Sequence, residues 1–554
     1  MSNKKERFTL FLLYIGKSKK PKPILTMEKE ITSIKKSLIA EINKRVEDRV
    51  LEPENAKLLS KLINNADSDT EAISIAALGT TYKRTGFHFD KRIEKISSDI
   101  HYFRKNKDLS FFTDEDKPVH KLIIGDNYHA LQNLLIQYKG KIDIIYIDPP
   151  YGKDSMGEFA QTNYQNNITR DNLLSMLYPR LQLAKELLSD SGVIFCSIDD
   201  KNQAYVKCLF DEVFGEKNFV ANLIWKSKSG GANDSRFFAL DHEYILSYAK
   251  SPELFNLLLD KEAEVSTTYN LEDEKGKYAL DRLDKQSIRY SDSLNYEIVG
   301  PDGLSYYPKH KDPNNPNATW RWGKETVKER YDELVFKNGC VYTKNYEKEG
   351  VIPRSLLIDE RFGRTRTGKT VFFDIFNVNI FGNPKPPKLI AYLLEITTDP
   401  NKDSIVLDFF AGSGTTGHAV LELNKKDGGN RQFILCQLNE KTDTTPNGIA
   451  YDVTSKRLKR IMTGECYDGT KDFKWIEDNE KYGGNLDVYE LETVSNKETT
   501  TGKSAFEVID ETIYGKEKFG TLKEKIDWVC QNFYRTQTGV ESNEQWQKRI
   551  KQEK

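Results

Sequence analysis

Six cysteines (Cys196, Cys208, Cys340, Cys436, Cys466 and Cys530) are scattered over 554 residues with no C-x-x-C pair, and the seven histidines do not cluster. Their scarcity and spacing exclude a zinc finger and a disulfide framework, and fit a reducing, cytoplasmic setting. Long apolar runs are lacking as well. Phe8 to Ile15 is far short of the roughly 20 residues needed to span a bilayer. Lys17, Lys19, Lys20 and Lys22 stand where a signal peptide would place small residues, so no secretory leader is expected and no membrane partner. Met27 offers an alternative start. An excess of either charge is missing too: the net charge of −1 neither demands nor forbids a nucleic-acid partner, because a groove can be basic while the whole is neutral.

What is present changes character along the chain. Ile31, Ile34, Leu38, Ile42 and Val46 recur at helical spacing, Pro53 interrupts them, and a second helix is expected from Ala56 to Leu62. Residues 1–110 therefore read as a helical extension. From Lys121 an α/β rhythm begins. Leu122–Ile124 ends in Gly125-Asp126-Asn127, a helix pattern runs from Tyr128 to Tyr138, and Ile142–Ile147 reads as a strand buried on both faces. A helix pattern from Arg170 to Leu188 and a strand from Val193 to Ile198 follow, as in a parallel α/β sheet. The rhythm lapses between about Trp225 and Phe376. It returns with a helix from Lys388 to Ile396, a strand from Ser404 to Asp408, a helix from Thr416 to Asn424 and a strand from Phe433 to Leu438. The expectation is one α/β doubly wound domain in two parts, 111–224 and 377–470, interrupted by an insert, 225–376, and followed by a charged, partly helical region, 471–554.

Ligands bind beyond the carboxyl ends of strands in open α/β sheets, and two strand ends here carry unusual chemistry. In Asp148-Pro149-Pro150-Tyr151 the prolines force the chain out of the sheet. A carboxylate, a carbonyl and an aromatic ring are left together, two acceptors for the two N–H bonds of an exocyclic amine and a face on which a planar base can stack. In Asp408-Phe409-Phe410-Ala411-Gly412-Ser413-Gly414-Thr415-Thr416, glycines let the backbone approach a ligand, and the helix that follows offers free amides to an anion.

Together these motifs resemble the amino-methyltransferases: Asp148 to Tyr151 matches their catalytic motif, and Phe410 to Gly414 their F-x-G-x-G cofactor motif. The order, catalytic motif first, resembles the permuted β group of DNA methyltransferases. Asn383-Pro384-Lys385-Pro386 with Leu389, and Gly125-Asp126-Asn127, resemble further parts of that group's cofactor site. Trp320-Arg321-Trp322, His242-Glu243-Tyr244 and Gly417-His418-Ala419-Val420 resemble the modification subunits of type III restriction-modification systems. The resemblance covers roughly residues 115 to 470. It implies a Rossmann-like, circularly permuted methyltransferase fold with an inserted target-recognition domain, and S-adenosylmethionine as cofactor, held by Asp126, Asn383, Lys385, Asp408 to Thr416 and Gln437. Rossmann-like sites usually carry an acid where Gln437 stands, with Glu440 three residues on, so the ribose partner stays open.

The resemblance further implies methylation of adenine N6 in double-stranded DNA, with Asp148 and the Pro149 carbonyl holding the amine and the base flipped out of the duplex onto Tyr151. A serine at position 148 would instead favour N4-cytosine. A homodimer and a restriction (helicase–nuclease) subunit are the implied protein partners. Candidate DNA contacts are Lys226, Lys228, Arg321, Lys324, Arg361, Arg364 and Arg366, basic groups interleaved with aromatics. Alternatives are a solitary or type II methyltransferase, an RNA or protein amine methyltransferase, and a silent DNA-recognition subunit. Gly363 to Thr370 satisfies the pattern G-x-x-x-x-G-K-[ST]. It reads as coincidence, because Val371–Phe376 resembles a strand where a phosphate loop needs a helix.

Overall fold

The computed structural model describes residues 32–47, 51, 53–78, 99–150, 169–230, 237–263, 267–284, 289–310, 312, 315, 317–494 and 504–533. The run Phe8 to Ile15, Met27 and Tyr151 lie outside the described residues. The chain divides into two compact units, Met1–His88 and Phe89–Lys554.

In the first unit α1 (Ser33–Glu47), α2 (Pro53–Asn65) and α3 (Asp69–Leu78) enclose a small core of Ile42, Ala56, Ile63, Ala66, Ala72 and Ala76. Pro53 opens α2 rather than merely ending α1, since the first helical position needs no N–H. The buried Lys35 ammonium donates to the Ala66 carbonyl at 2.7 Å.

The second unit is built on one ten-stranded sheet. Its first part runs β1 (Ile100–Phe111), β2 (Val119–Ile124), α4 (Asn127–Tyr138), β3 (Ile142–Ile147), α5 (Thr169–Leu187), β4 (Leu188–Ile198), α6 (Gln203–Phe214), β5 (Phe219–Lys226) and β6 (His242–Ala249). Next come β7 (Leu271–Asp273), β8 (Gly276–Arg282), β9 (Ile298–Val299), β10 (Ser305–Tyr306), α7 (Lys324–Glu329), β11 (Leu334–Lys337), β12 (Cys340–Tyr346) and β13 (Leu356–Leu357). The last part holds α8 (Thr365–Phe376), α9 (Pro387–Glu395), β14 (Ile405–Asp408), α10 (Thr415–Asp427), β15 (Gln432–Gln437), α11 (Lys456–Thr463), α12 (Lys474–Asp478), β16 (Asn485–Val494), α13 (Ala505–Val508) and α14 (Leu522–Asn532).

The sheet order is β1-β16-β2-β15-β14-β3-β4-β6-β5-β13. From β16 to β4 every pairing is parallel. Alternate residues of each central strand feed two cores. Ile145, Ile147, Leu407, Ile434 and Cys436 pack toward α4, α5 and α6, while Ile144, Tyr146, Val406, Phe433 and Leu435 pack toward α8, α9, α10 and α11. Helices on both faces of a parallel sheet make the doubly wound α/β architecture expected of the sequence, with its catalytic and glycine-rich halves in reversed order along the chain.

The boundaries shift at three places. The helical extension 1–110 includes β1, which pairs antiparallel with β16, itself drawn from the charged 471–554 region. The insert 225–376 does not leave the sheet as a block. Trp225 is fully buried and donates to the Gly363 carbonyl at 3.1 Å, β6 lies between β4 and β5, and β13 closes the edge. What stands apart is the four-stranded sheet β11-β12-β8-β7, whose core gathers Leu283, Tyr296, Ile298, Trp320, Val327, Leu334 and Val341. Third, the strand expected over Val371–Phe376 is the second half of helix α8. Its buried residues, Gly368, Phe372, Ile375 and Phe376, follow helical spacing and dock on the same core as β3 and β14, with Phe373 turned outward.

Candidate active site

Strands β3 and β14 are neighbours, with Val406 opposite Ile144 and Leu407 opposite Ile145. Parallel strands lie about 4.8 Å apart, so Asp148, three residues past Ile145, and Phe410, three past Leu407, leave the same edge of the sheet side by side. The two corners singled out in the sequence thus share one site.

At the first corner Asp148 meets an unexpected partner. Lys385 Nζ donates to both carboxylate oxygens at 2.8 Å, across 237 positions of chain, and lies 3.2 Å from Glu243 Oε2. Burial pushes the Asp148 carboxyl above its ordinary range, the ammonium opposes that, and Glu243 adds to it. Lys385, expected in the cofactor set, therefore sits on the Asp148 carboxylate. Gly368 shapes its approach, because a Cβ there would fall 2.2 Å from the Pro384 carbonyl oxygen. That close helix-to-loop contact explains a glycine that the phosphate-loop pattern would have assigned to a nucleotide. The segment is helix α8 from Thr365 onward, with no loop to cradle phosphate.

At the second corner the turn is held from all sides. Asp408, 2% exposed, accepts from Phe410 N at 2.9 Å and Thr416 Oγ1 at 2.5 Å. Burial pushes its carboxyl up to about 7, those hydrogen bonds pull it down, and the charge of Asp148 raises it further. Gly412 and Gly414 adopt φ of +52° and +78°, conformations closed to most side chains. Gln437 Oε1 accepts from Gly412 N at 2.6 Å, and Thr454 Oγ1 donates to Gly412 O at 2.7 Å from a π-helical turn, Ala450–Ser455. The fully buried Arg457 donates to Ser413 Oγ at 3.0 Å and Thr415 Oγ1 at 2.9 Å, and pairs with His418 Nδ1 at 3.1 Å. Gln437, assigned above to the cofactor, is thus engaged as a prop for the glycine turn.

A third loop joins the other two. Asp126 caps α4 by accepting from Tyr128 N at 2.7 Å, and Asn127 Nδ2 donates to the Phe409 carbonyl at 2.7 Å. Arg180, from α5, grips both: Nε donates to Asn127 Oδ1 at 2.5 Å, and Nη2 lies 3.2 Å from Asp126 Oδ1. Asp126 keeps 31% of its side-chain exposure, so one carboxylate faces outward beside the glycine turn. Phe410 is half-buried and Asn383 is exposed.

Four residues at this edge were not read as functional from the sequence: Arg180, Glu243, Thr454 and Arg457. Glu243 stood in a quoted family-like triplet, but nothing local tied it to Asp148.

The basic candidates divide. Arg361 makes a two-pronged pair with the buried Asp260, at 2.9 and 2.5 Å, over the Phe362 and Tyr392 rings. Arg364, 8% exposed, donates to the carbonyls of Asp359, Gly363 and Ile358. Arg321 bonds Asp281 and Thr343 in the separate sheet. These three guanidinia are all engaged within the fold. Lys228, Lys324 and Arg366 are exposed, and Lys226 is half-buried. Thr365 N donates to Ser227 O at 2.9 Å, which sets Arg366 and Lys228 beside one another past the end of β5, a strand parallel to β3.

Residues 142–444 match a family model described as DNA methylase, and residues 28–144 match one described as an uncharacterised conserved protein. Among curated relatives, the type III restriction-modification enzyme StyLTI Mod subunit of Salmonella typhimurium is 32% identical over 447 residues, covering 72% of this chain and 64% of that protein. The EcoPI Mod subunit of Escherichia phage P1 is 33% identical over 413 residues, 63% of each chain. The type II methyltransferase M.KpnI of Klebsiella pneumoniae is 32% identical over 421 residues, 69% of this chain and 97% of that one. The chain thus spans under two thirds of the length of the two Mod subunits.

Proposed function

We propose, on the premise that this chain belongs to the DNA methylase family, that it transfers a methyl group from S-adenosylmethionine to adenine N6 in double-stranded DNA, as the modification subunit of a type III restriction-modification system. The observation that carries this reading is the juxtaposition of Asp148-Pro149-Pro150 and the glycine turn on adjacent parallel strands.

The residues fit the cofactor. Asp126 offers an outward carboxylate beside the turn, the turn itself is held open by two left-handed glycines, and Phe410 offers a half-buried ring. S-adenosylmethionine, when bound, supplies an electrophilic methyl group. The chain supplies position and charge. Asp148 and the Pro149 carbonyl accept the two hydrogens of N6, and drawing on both N–H bonds frees the nitrogen lone pair from the ring. The proton lost from N6 leaves by way of Asp148, whose side chain keeps 26% of its exposure. An aspartate at this place, rather than a serine, favours adenine over cytosine. Flipping the base out of the stack costs a few kcal/mol, which contacts in the site offset.

Methylome sequencing of DNA from cells expressing the protein, beside cells expressing Asp148→Ala, tests the reading. N6-methyladenine at one recurring sequence, absent from the variant, is the expected result, and unmodified DNA rejects it. A second reading, a type II enzyme acting alone, draws on the 97% coverage of M.KpnI. Co-purification of a helicase–nuclease chain with a homodimer of this one favours the type III form, and an active protein with no such companion favours the other. Among the described residues no helix is long and apolar enough to cross a membrane.

The exposed bases make a separate prediction. Arg366→Ala is expected to weaken DNA binding and lower the slope of log affinity against log salt by about 0.9, one phosphate contact. Arg364→Ala is expected to leave that slope alone and instead destabilise the fold by about 3 kcal/mol, since three carbonyls lose their donor. Binding titrations across salt, paired with thermal melts, separate the two, and an unchanged slope for Arg366→Ala removes it from the DNA surface.

A further inference from the structure

Lys385 stands between two acids. Its ammonium is 2.8 Å from each oxygen of Asp148 and 3.2 Å from Glu243 Oε2, and the lysine side chain is only 10% exposed. Three separate elements bring the groups together: the corner after β3, the start of β6, and the segment leading into α9. One sheltered cation between two carboxylates is a shared counter-ion, and a shared counter-ion has two places to rest.

That matters for a carboxylate that must accept a hydrogen bond from an incoming amine. With the ammonium across both oxygens, the lone pairs that face Nζ are taken, and an N6 hydrogen approaching from that side competes with Nζ for Asp148. A sheltered ammonium released into a site with no second anion would be left uncompensated. Glu243 supplies that second anion on β6, already within contact distance, so the exchange needs a shift of Nζ rather than its expulsion.

We infer that Lys385 and Glu243 are positioning residues: Lys385 keeps Asp148 ionised before substrate arrives, and Glu243 takes over Lys385 when the base amine docks on Asp148. The inference rests on the reading of Asp148 as the acceptor of a base amine. Other groups also face Asp148. Tyr146 on β3 and Cys196 on β4 are pushed by burial far above their ordinary values and stay neutral, and Asp408 closes β14. The Tyr146 hydroxyl is occupied with Ser197 Oγ at 2.9 Å. All three are common to every variant below, so differences between variants isolate Lys385 and Glu243.

The two residues act on Asp148 with opposite sign. Activity needs the carboxylate, so it falls as pH drops through the raised Asp148 value. Glu243→Gln removes a like charge, and its acid limb is expected to move to lower pH by about one unit. At neutral pH its kcat/KM is expected to fall about tenfold, because Lys385 stays clamped on Asp148. Lys385→Met removes the cation, and its limb is expected to move to higher pH by about one unit, with Lys385→Arg restoring it. A scaffold role would lower rates without displacing the limbs in opposite directions. A second readout needs no turnover: binding to duplexes carrying either adenine or an amine-free purine at the methylated position. Wild type is expected to prefer adenine, and Glu243→Gln to lose that preference while binding non-target DNA normally. If Lys385→Met fails to fold, the direction of the Glu243→Gln limb decides alone. A wild-type protein that methylates DNA but shows unmoved limbs in these variants overturns the inference and spares the function, whereas a folded wild-type protein inert on DNA removes both.

Discussion

Asp148→Ala is expected to lower the rate of methyl transfer at least about a thousandfold while DNA affinity stays within a few-fold of wild type. Two losses combine. The exocyclic amine loses the acceptor that draws on its N–H bond. In addition, the Lys385 ammonium, relieved of both Asp148 contacts, remains beside the site with only Glu243 to neutralise it, so the place meant for a hydrogen-bond donor becomes electropositive. Affinity is expected to survive because the exposed cations Lys228 and Arg366 lie past the end of another strand. Stability carries a less obvious sign. Burial raises the Asp148 pKa above its ordinary value, so this group favours the folded state only when protonated, below the ordinary carboxyl range, and that contribution is lost as pH rises through the raised value. At neutral pH the alanine variant is relieved of that cost but leaves the sheltered Lys385 ammonium to Glu243 alone, so its melting temperature reads the balance of two opposed effects. Single-turnover methylation, a binding titration and a melt on one preparation read all three quantities. Turnover near the wild-type rate would sink the catalytic assignment outright.

How far the sequence foretold this site depends on where each partner lies along the chain. Strands β3, β14 and β15 were legible to within a few residues because parallel strands buried on both faces are continuous runs such as Ile142–Ile147. The corners were legible because prolines and glycines mark where a chain must leave a strand. Val371–Phe376 misled for the opposite reason. Six residues of mixed apolar character carry no clear period, and the helical set appears only when Gly368 is counted with Phe372, Ile375 and Phe376. The partners of the guanidinia were not legible either. Arg361 finds Asp260 across 101 positions, and Arg364 finds backbone carbonyls, which no residue pattern announces. Composition alone cannot tell a cation that reads phosphate from one that ties a loop. Lys385 shows the same limit at the centre of the site. Its motif pointed to the cofactor, and its side chain meets Asp148.

The stability of Asp408→Asn relative to wild type is expected to rise as pH climbs from about 4 to 8. Asp408 is nearly sealed from water, and burial pushes its carboxyl up to about 7 from an ordinary value of 3.8. A group whose folded value lies above its unfolded one favours folding while protonated; that contribution is whole below the unfolded value and is lost as pH climbs through the folded one. The difference corresponds to about 4 kcal/mol by pH 8, since each unit is worth about 1.4 kcal/mol. Asparagine keeps an oxygen for Phe410 N, and its amide can donate to Thr416 Oγ1, so both ties of the turn survive without a charge. At pH 8 the variant is expected to melt higher by on the order of 5 °C, and below about pH 4 the two proteins should nearly coincide. Thermal melts at half-unit intervals from about pH 4 to 8 read this directly, and parallel curves would mean that Asp408 carries no such strain. The expected divergence has a functional sense. Asp408 and Asp148 close adjacent strands, and the charge of Asp148 raises the cost of ionising Asp408; a fold that retains two acids at one edge, one of them almost wholly enclosed, gives up stability there to keep the glycine turn and the Asp148 corner in register.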